Sequence, residues 1–484
     1  MKKTANIVFI AAPTIGNLVP AVEFATQLTN TYPCLKATIL VITMSTRPLI
    51  DTFVDSRANV NAGNVSFVYL PPTELPSPDQ YNSFVGFMSR SIEKQKTHVK
   101  NALVDLMQTQ SEPANSVVPL AGLFVDMFCT AMIDVANEVG VNSYVYFASP
   151  ASFLGFMLHL PVLTRLSTEL DDSDAELRIP GFVKPVPVSV LPSFYLTRNK
   201  DDGCSWFEYN ASKYKEAKGI IVNTFKELEN HALDSVSAEF SDLPPVYPVG
   251  PVVDRRGPAG WKVNEDHEEV RKWLDQQPEA SVVFLCFGSM GSLRPVQVKE
   301  IAHGLEQSGH RFLWSLREPG KGKLDLPGNY TNPDTVLPDG FIDRTAGIGL
   351  VCGWVPQVMV LGHNAVGGFV SHCGWNSILE SLWHGVPIAT WPIYAEQQLN
   401  AFEMVKELKL SMEIRLDYRG GENDLVCKEE VAKGVRSLME LSDPAQELRE
   451  KVKRMSQVSK NAVKENGSSF VALARLVHQL LPDF

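Results

Sequence analysis

Trp354 to Gln397 read WVPQVMVLGHNAVGGFVSHCGWNSILESLWHGVPIATWPIYAEQ, and the middle of this stretch decides the fold. Val366-Gly-Gly-Phe-Val-Ser-His-Cys-Gly-Trp-Asn-Ser-Ile-Leu-Glu380 opens as an apolar, β-branched run, turns at Gly374 and continues with helical spacing. A buried strand running through a tight turn into a helix is the unit of an α/β fold. It is also an anion cradle. Gly374 has no Cβ and lets backbone approach a ligand, and Asn376 and Ser377 fall in the first helical turn, where free N–H groups and the helix dipole favour negative charge. His372 stands just ahead of the turn. Glu380, a turn further on, carries a carboxylate that can accept from two vicinal hydroxyls, as a ribose presents.

Outward from this unit the same alternation repeats. Ser281–Phe287, Arg311–Leu316, Gly347–Cys352, Gly367–Ser371 and Pro387–Trp391 read as strands of one series. An earlier series comprises Ile7–Ala12, Ala37–Thr43, Val65–Leu70, Leu120–Asp126, Ser143–Phe147 and Gly219–Val222, interleaved with helices such as Leu18–Leu28 and Thr130–Val139. Between them Leu243–Gly260, LPPVYPVGPVVDRRGPAG, is rich in Pro and Gly, shows no helical or strand period, and reads as a linker. The 484 residues are too many for one ordinary core. The expected domains are therefore 1–242, a linker 243–260, 261–460, and a C-terminal helix in 461–484. Open α/β sheets bind ligands beyond the carboxyl ends of their strands, so two facing doubly wound domains would hold two ligands across a cleft.

The formal net charge of −11 argues against a nucleic-acid partner or an anionic membrane surface. An anionic ligand must then be held by local dipoles and few side chains. Seven scattered cysteines lie within or beside apolar runs and read as reduced packing residues of a cytoplasmic protein, neither a disulfide framework nor a zinc site. Lys2-Lys3 followed by Ile7–Ala12 resembles a short signal peptide, but the run breaks at Pro13 and Gly16 without a small-x-small cleavage site, so a first buried strand is expected. No apolar stretch reaches the length of a membrane span. The protein is expected to be a monomer.

The segment 354–397 resembles, nearly residue for residue, the signature box of the plant secondary-product glycosyltransferases, the UDP-sugar-dependent family 1 enzymes. That resemblance extends over essentially the whole chain. It implies the GT-B architecture, two Rossmann-like domains facing across a cleft, with a C-terminal helix that crosses back to the first domain. It implies that Trp354 stacks on uracil, that Val355, Pro356 and Gln357 fix the base and ribose, and that Glu380 holds the ribose hydroxyls. His372, Asn376 and Ser377 are assigned to the diphosphate, with the Gly374 backbone close to a phosphate, and Ser289, in the strand-loop Ser281–Ser292, donates to a phosphate. Trp375, Glu396 and Gln397 contact the sugar, the closing Gln397 marking glucose, and Cys373, Tyr394 and Ala395 belong to the donor-binding set. Singly, each has an ordinary structural explanation: Trp354 as core, His372 as a satisfied strand-end histidine, Glu380 as a solvated helix face. Their occurrence in register is what carries the resemblance.

One position departs from the family. The family places a histidine in a Pro-x-x-Gly-His pattern after the first strand, oriented by an aspartate at the end of a later strand. Here the strand runs into Ala12-Pro-Thr-Ile-Gly-Asn17, and Leu123-Phe-Val-Asp126 supplies the aspartate. Asn17 takes the histidine's place, and a carboxamide cannot accept a proton near neutral pH. Asn17 also suits the N-cap of Leu18–Leu28, and Asp126 suits a buried strand-end carboxylate satisfied by amides. Loss of a general base costs about 10²–10⁴ in rate, which shifts the expected acceptor from alcohols toward acidic phenols, carboxylic acids and amines. Tyr81, Phe84, Phe87, Met88, Phe128, Phe153, Phe156 and Met157 form the expected acceptor wall, with Ser149 near the sugar; aromatic and Met residues suit flat apolar molecules.

The expected activity is inverting transfer of glucose from UDP-glucose to a small lipophilic acceptor, with UDP-glucose as co-substrate and no metal or other cofactor. The same residues allow a UDP-sugar-binding protein with little transferase activity, whether Asn17 is natural or introduced. A metal-dependent GT-A enzyme would use Asp172-Ser-Asp174, but that triplet lies in an acidic loop and closes no strand. A nicotinamide oxidoreductase is disfavoured because neither Gly16 nor Gly288–Gly291 gives Gly-x-Gly-x-x-Gly after a strand.

Overall fold

Strand runs buried on both faces pair in parallel because helices cover each side, and both halves of the chain obey this rule. The computed structural model describes residues 4–43, 48–58, 64–109, 119–166, 175–254, 265–320, 326–422 and 424–482. The first sheet runs, edge to edge, Val65–Tyr69, Leu35–Val41, Ala5–Ile10, Leu120–Asp126, Ser143–Phe147, Ile220–Val222 and Val246–Pro248, all parallel. The second runs Gly349–Cys352, Arg311–Ser315, Val282–Cys286, Val366–Ser371, Ile388–Thr390 and Ser411–Glu413, again all parallel. In each, the first strand in sequence lies between the second and the fourth, so the winding reverses at that point.

Two short strands escaped the sequence pattern. Val246–Pro248 lies inside the stretch expected to be linker and adds the edge of the first sheet, where a proline is tolerated because no neighbour needs its N–H. Ser411–Glu413 closes the second sheet in the same way. The helix expected at Leu18–Leu28 spans Ile15–Thr31.

The C-terminal helix Ser468–Leu480 packs on the first sheet. Its Leu473, Leu476 and Leu480 share a core with Phe9, Phe24, Phe124 and Tyr146, and Gln479 donates to the Lys218 carbonyl at 2.9 Å. Polar contacts lock the domains. Arg419 donates to the carbonyls of Ser189 and Leu191 at 2.6 and 2.7 Å, and Glu407 accepts from the N–H groups of Val183 and Lys184, both at 2.7 Å. His231 lies 3.3 Å from Glu407 and 3.6 Å from Glu403, and its hydrogen bond to Glu407 raises its pKa. All seven cysteines are free thiols. Among the described residues no helix is long and apolar enough to cross a membrane. Asp172 and Asp174 lie outside the described residues.

Candidate active site

Loops leaving adjacent strands toward opposite faces of a sheet leave a crevice at the point of reversal. Here the two crevices face each other and merge into one cavity of about 830 Å³, lined from both domains. Among the described residues no lysine or arginine lines it, whereas Glu23, Asp201, Asp254, Glu380 and Glu396 do. A bound anion must therefore be held by N–H groups and dipoles.

The second domain supplies them. Val366–Ser371 ends at Ser371, whose hydroxyl accepts from the Cys373 N–H at 3.1 Å, and Cys373 adopts a left-handed φ of 62°. Such a conformation costs a non-glycine residue on the order of 1–3 kcal/mol and here turns the backbone into the helix Trp375–His384. The first N–H groups of that helix, at Trp375, Asn376 and Ser377, have no acceptor one turn back, and these three residues line the cavity. His372 is wedged between two glycines: a Cβ on Gly288 or Gly374 would lie 2.5 or 2.6 Å from its Nε2. Burial lowers the His372 pKa to about 4, so the ring is neutral at pH 7. Its Nδ1 and the Oδ1 of Asn376 are buried with no hydrogen-bond partner among the described residues. Ser289 lines the facing turn.

Beside this cradle Gln357 donates to Glu380 at 2.6 Å and to Ser377 at 2.8 Å. Burial raises the Glu380 pKa to about 7, opposed by the Gln357 bond and reinforced by the Asp254 carboxylate. Val355 and Pro356 lead into Gln357, and the Trp354 N–H donates to Asn329 at 3.0 Å, while the Trp354 ring lies 5.7 Å from that of His267. At the other end, Gln397 accepts from the N–H groups of Ile393 and Tyr394 at 2.9 and 3.0 Å. Ala395 beside it holds φ at 58°, and Glu396 accepts from Ser149 of the first domain at 3.3 Å. Burial raises the Glu396 pKa.

Three residues do different work from that expected. Cys373 does not line the cavity: its fully buried thiol points to the Ser371 carbonyl, and its contribution is the backbone turn. Trp375 lines the cavity, but its indole N–H is committed to the Asn223 carbonyl at 2.7 Å. Asn376 donates its amide across the cleft to the Gly16 carbonyl at 3.0 Å. Trp375 and Asn376 thus offer a ligand their backbone N–H groups and otherwise tie the domains together.

At the first domain's crevice, Asn17 is not the N-cap. Thr14 is, and Asn17 sits on the helix's first turn with both ends of its carboxamide engaged. Its Oδ1 accepts from the Thr14 hydroxyl at 2.5 Å, and its Nδ2 donates to Asp126 at 2.9 Å. Asp126 is buried behind Asn17, off the cavity wall, and accepts also from the Phe128 N–H at 2.9 Å. Burial raises the Asp126 pKa to about 6 against these hydrogen bonds. Asn17 lines the cavity, and its Nδ2 carries a second N–H beyond the one given to Asp126.

Of the expected acceptor wall, Phe84, Met88, Phe128 and Phe153 line the cavity, with Ser149 at the junction. Phe87 does not: it packs on Tyr81 at 5.1 Å between centroids and is buried in the core. Tyr81, Phe156 and Met157 likewise lie behind the wall. Phe194 and Phe207, stacked at 3.7 Å, complete it, with Phe128 edge-on to Phe207 at 5.5 Å. No periodicity flags Phe194, which sits in a four-residue helix.

Residues 206–417 match the family described as UDP-glucoronosyl and UDP-glucosyl transferase. The chain is 53% identical to UDP-glycosyltransferase 43 of Pueraria montana var. lobata, covering 98% of this chain and 99% of that one. It is 47% identical to UDP-glucose flavonoid 3-O-glucosyltransferase 6 of Fragaria ananassa over 99% of each. The crystal structure of Medicago truncatula UGT71G1 complexed with UDP-glucose shares the fold with a TM-score of 0.86 at 40% identity, covering 99% of this chain and 98% of that one. The chain belongs to the UDP-glucoronosyl and UDP-glucosyl transferase family and is a glycosyltransferase of GT-B fold.

Proposed function

We propose that this protein transfers glucose from UDP-glucose, with inversion, to a flat lipophilic phenol of the flavonoid kind whose hydroxyl is acidic enough to lose its proton without an enzymic base. Carboxylic acids and amines are secondary acceptors. The observation that carries this is the Asn17 carboxamide on the cavity wall, its oxygen taken by Thr14 and one N–H by Asp126, so that this position holds a spare N–H and no basic atom. An N–H at that place stabilises a phenolate oxygen; it cannot deprotonate an alcohol.

The acceptor oxygen attacks the anomeric carbon from the face opposite the diphosphate. The bond from that carbon to the diphosphate oxygen breaks, and its electron pair leaves on UDP. The N–H groups of Trp375, Asn376 and Ser377 meet the growing charge, a dipolar stabilisation that needs no metal ion or lysine. Gln397 and Glu396 hold sugar hydroxyls, and the Glu396 carboxylate disfavours a UDP-glucuronate donor by like charge. The Asp201, Glu380 and Glu396 carboxylates on the cavity wall favour a phenol over a carboxylate acceptor, whereas Glu23 and Asp254 are paired with the buried Arg57.

The test is UDP-glucose presented with a panel of acidic phenols, carboxylic acids, amines and aliphatic alcohols, products read by mass. Acidic phenols should be turned over fastest and alcohols slowest by 10²-fold or more, about the weight of a missing base. Equal rates for phenols and alcohols would defeat the proposal. Tight UDP binding with no product from any class would make this a donor-binding protein.

A further inference from the structure

The acceptor half of the cavity is apolar near Asn17 and polar at its far end. From Asn17 the contacts step outward through Asp126 to Phe128, from Phe128 to Phe207, and from Phe207 to Phe194. A Cβ on Gly203 would lie 3.6 Å from both the Phe194 Cβ and the Ser83 hydroxyl, and the Gly203 N–H donates to Asp201 at 2.9 Å. Ser83, Ser193, Thr197 and Asp201 line this end.

Three of these four are already engaged. The Ser83 hydroxyl donates to Asp202 at 2.6 Å and accepts from the Gly86 N–H at 2.9 Å. Thr197 donates to the Ser193 carbonyl at 3.0 Å, and the Ser193 hydroxyl accepts from Arg419 at 3.0 Å. Asp201 differs. Its Oδ1 takes the Gly203 N–H, which fixes the carboxylate, and among the described residues its Oδ2 makes no hydrogen bond or ion pair while the side chain lines the cavity. A fixed carboxylate oxygen without a partner, at the end of an aromatic slot, is an acceptor awaiting a donor.

We infer that Asp201 is a second recognition point for the acceptor: its Oδ2 receives a hydroxyl or amino hydrogen from the end of the acceptor remote from the glucosylated atom. This rests on the glucosyl-transfer proposal only in calling the ligand an acceptor. The preferred molecule is then doubly functional, a flat ring system with a reacting hydroxyl at one end and a hydrogen-bond donor at the other, and an acidic group at the remote end is rejected by like charge.

The experiment measures binding in the presence of saturating UDP, without turnover, for three probes: 4,4′-dihydroxystilbene, 4-hydroxystilbene, and 4′-hydroxystilbene-4-carboxylate. The unmodified protein should hold the dihydroxy compound about tenfold tighter than the monohydroxy one, as befits a hydrogen bond to a charged group, and the carboxylate weakest. Asp201→Ala should bring the first two within about twofold, with UDP affinity unchanged as the check on folding. Asp201→Asn, which keeps an oxygen for Gly203, should improve the carboxylate about fivefold or more. A dihydroxy preference that survives Asp201→Ala, or is absent at the outset, overturns the inference. Because binding is read without transfer, failure of the acceptor panel above would leave this result standing, and failure here would leave the panel's intact.

Discussion

At the first sheet's point of reversal, the first turn of the helix after the first strand carries Asn17 and the end of the fourth strand carries Asp126; at the second sheet's, the loop after the first strand carries Gly288 and the end of the fourth leads into His372. Both arrangements bury an ionisable group, and burial drives each toward neutrality, Asp126 up to about 6 and His372 down to about 4. The surroundings then diverge. His372 stands against two glycines with an unsatisfied nitrogen, beside a helix terminus full of free N–H groups, an arrangement fit to receive a diphosphate. Asp126 and Asn17 satisfy one another, and Asn17 brings the cavity wall a carboxamide with no basic atom. One winding pattern thus makes two crevices, and the side chains alone decide that one binds an anion strongly while the other waits for an acceptor that brings its own charge.

The most direct way to break this contrast is to put a base into the first crevice. Asn17→His introduces a group with reference pKa near 6.5, and Asp126, at hydrogen-bond distance from position 17, would hold its ring. For alcohols and weakly acidic phenols kcat should rise by about 10² or more, some 2.7 kcal/mol of barrier, while the most acidic phenols gain little. UDP affinity should stay level. If the unmodified chain already glucosylates alcohols as fast as the variant, Asn17 is not where the acceptor loses its proton.

The two crevices were also unequally legible in the sequence. The second is built from one contiguous strand-turn-helix and its flanks, so Trp354, Gln357, His372, Ser377, Glu380 and Gln397 could be read in register, and all line the cavity. Its errors were of side-chain direction: Cys373 turns inward, and the side chains of Trp375 and Asn376 bridge to the first domain, which local spacing cannot reveal. The first crevice is assembled from distant segments. Phe87 was misplaced because it points roughly 100° round its helix from the mean direction of Phe84, Val85 and Met88, which line the cavity. Asp201 and Phe194 sit outside any long periodic element, and only the fold brings them to the wall. Helix and strand alternation carried the two doubly wound domains; edge strands of three residues, such as Val246–Pro248, are too short to show a period.

The donor side can be sharpened next. Trp354→Ala removes the ring at the outer end of the cradle while Asn329 still fixes the backbone there, so UDP binding should weaken by about 1–3 kcal/mol, the range for one lost base stack, or roughly 5- to 150-fold. Affinity for the acceptor probes in the absence of UDP should not move. Calorimetry giving an unchanged UDP affinity would remove Trp354 from the site and with it the separation of donor from acceptor functions between the two crevices.

The smallest effect concerns Glu380, whose pKa of about 7 in the free protein puts it half-ionised at neutral pH. Ribose hydroxyls donate to a carboxylate and favour its ionised form, so UDP binding should release a proton and tighten as pH rises from about 6 to about 8. The sign follows from the raised value: below it the group is protonated, and ionising it opposes binding; above it that cost is gone. One group titrating across this window changes affinity by at most about tenfold. UDP itself titrates nearby, so the measurement is the difference between the unmodified protein and Glu380→Gln, which retains UDP's own dependence and loses the carboxylate's. Identical pH profiles for the two proteins would mean that Glu380 is held by Gln357 as part of the scaffold and does not touch the ribose.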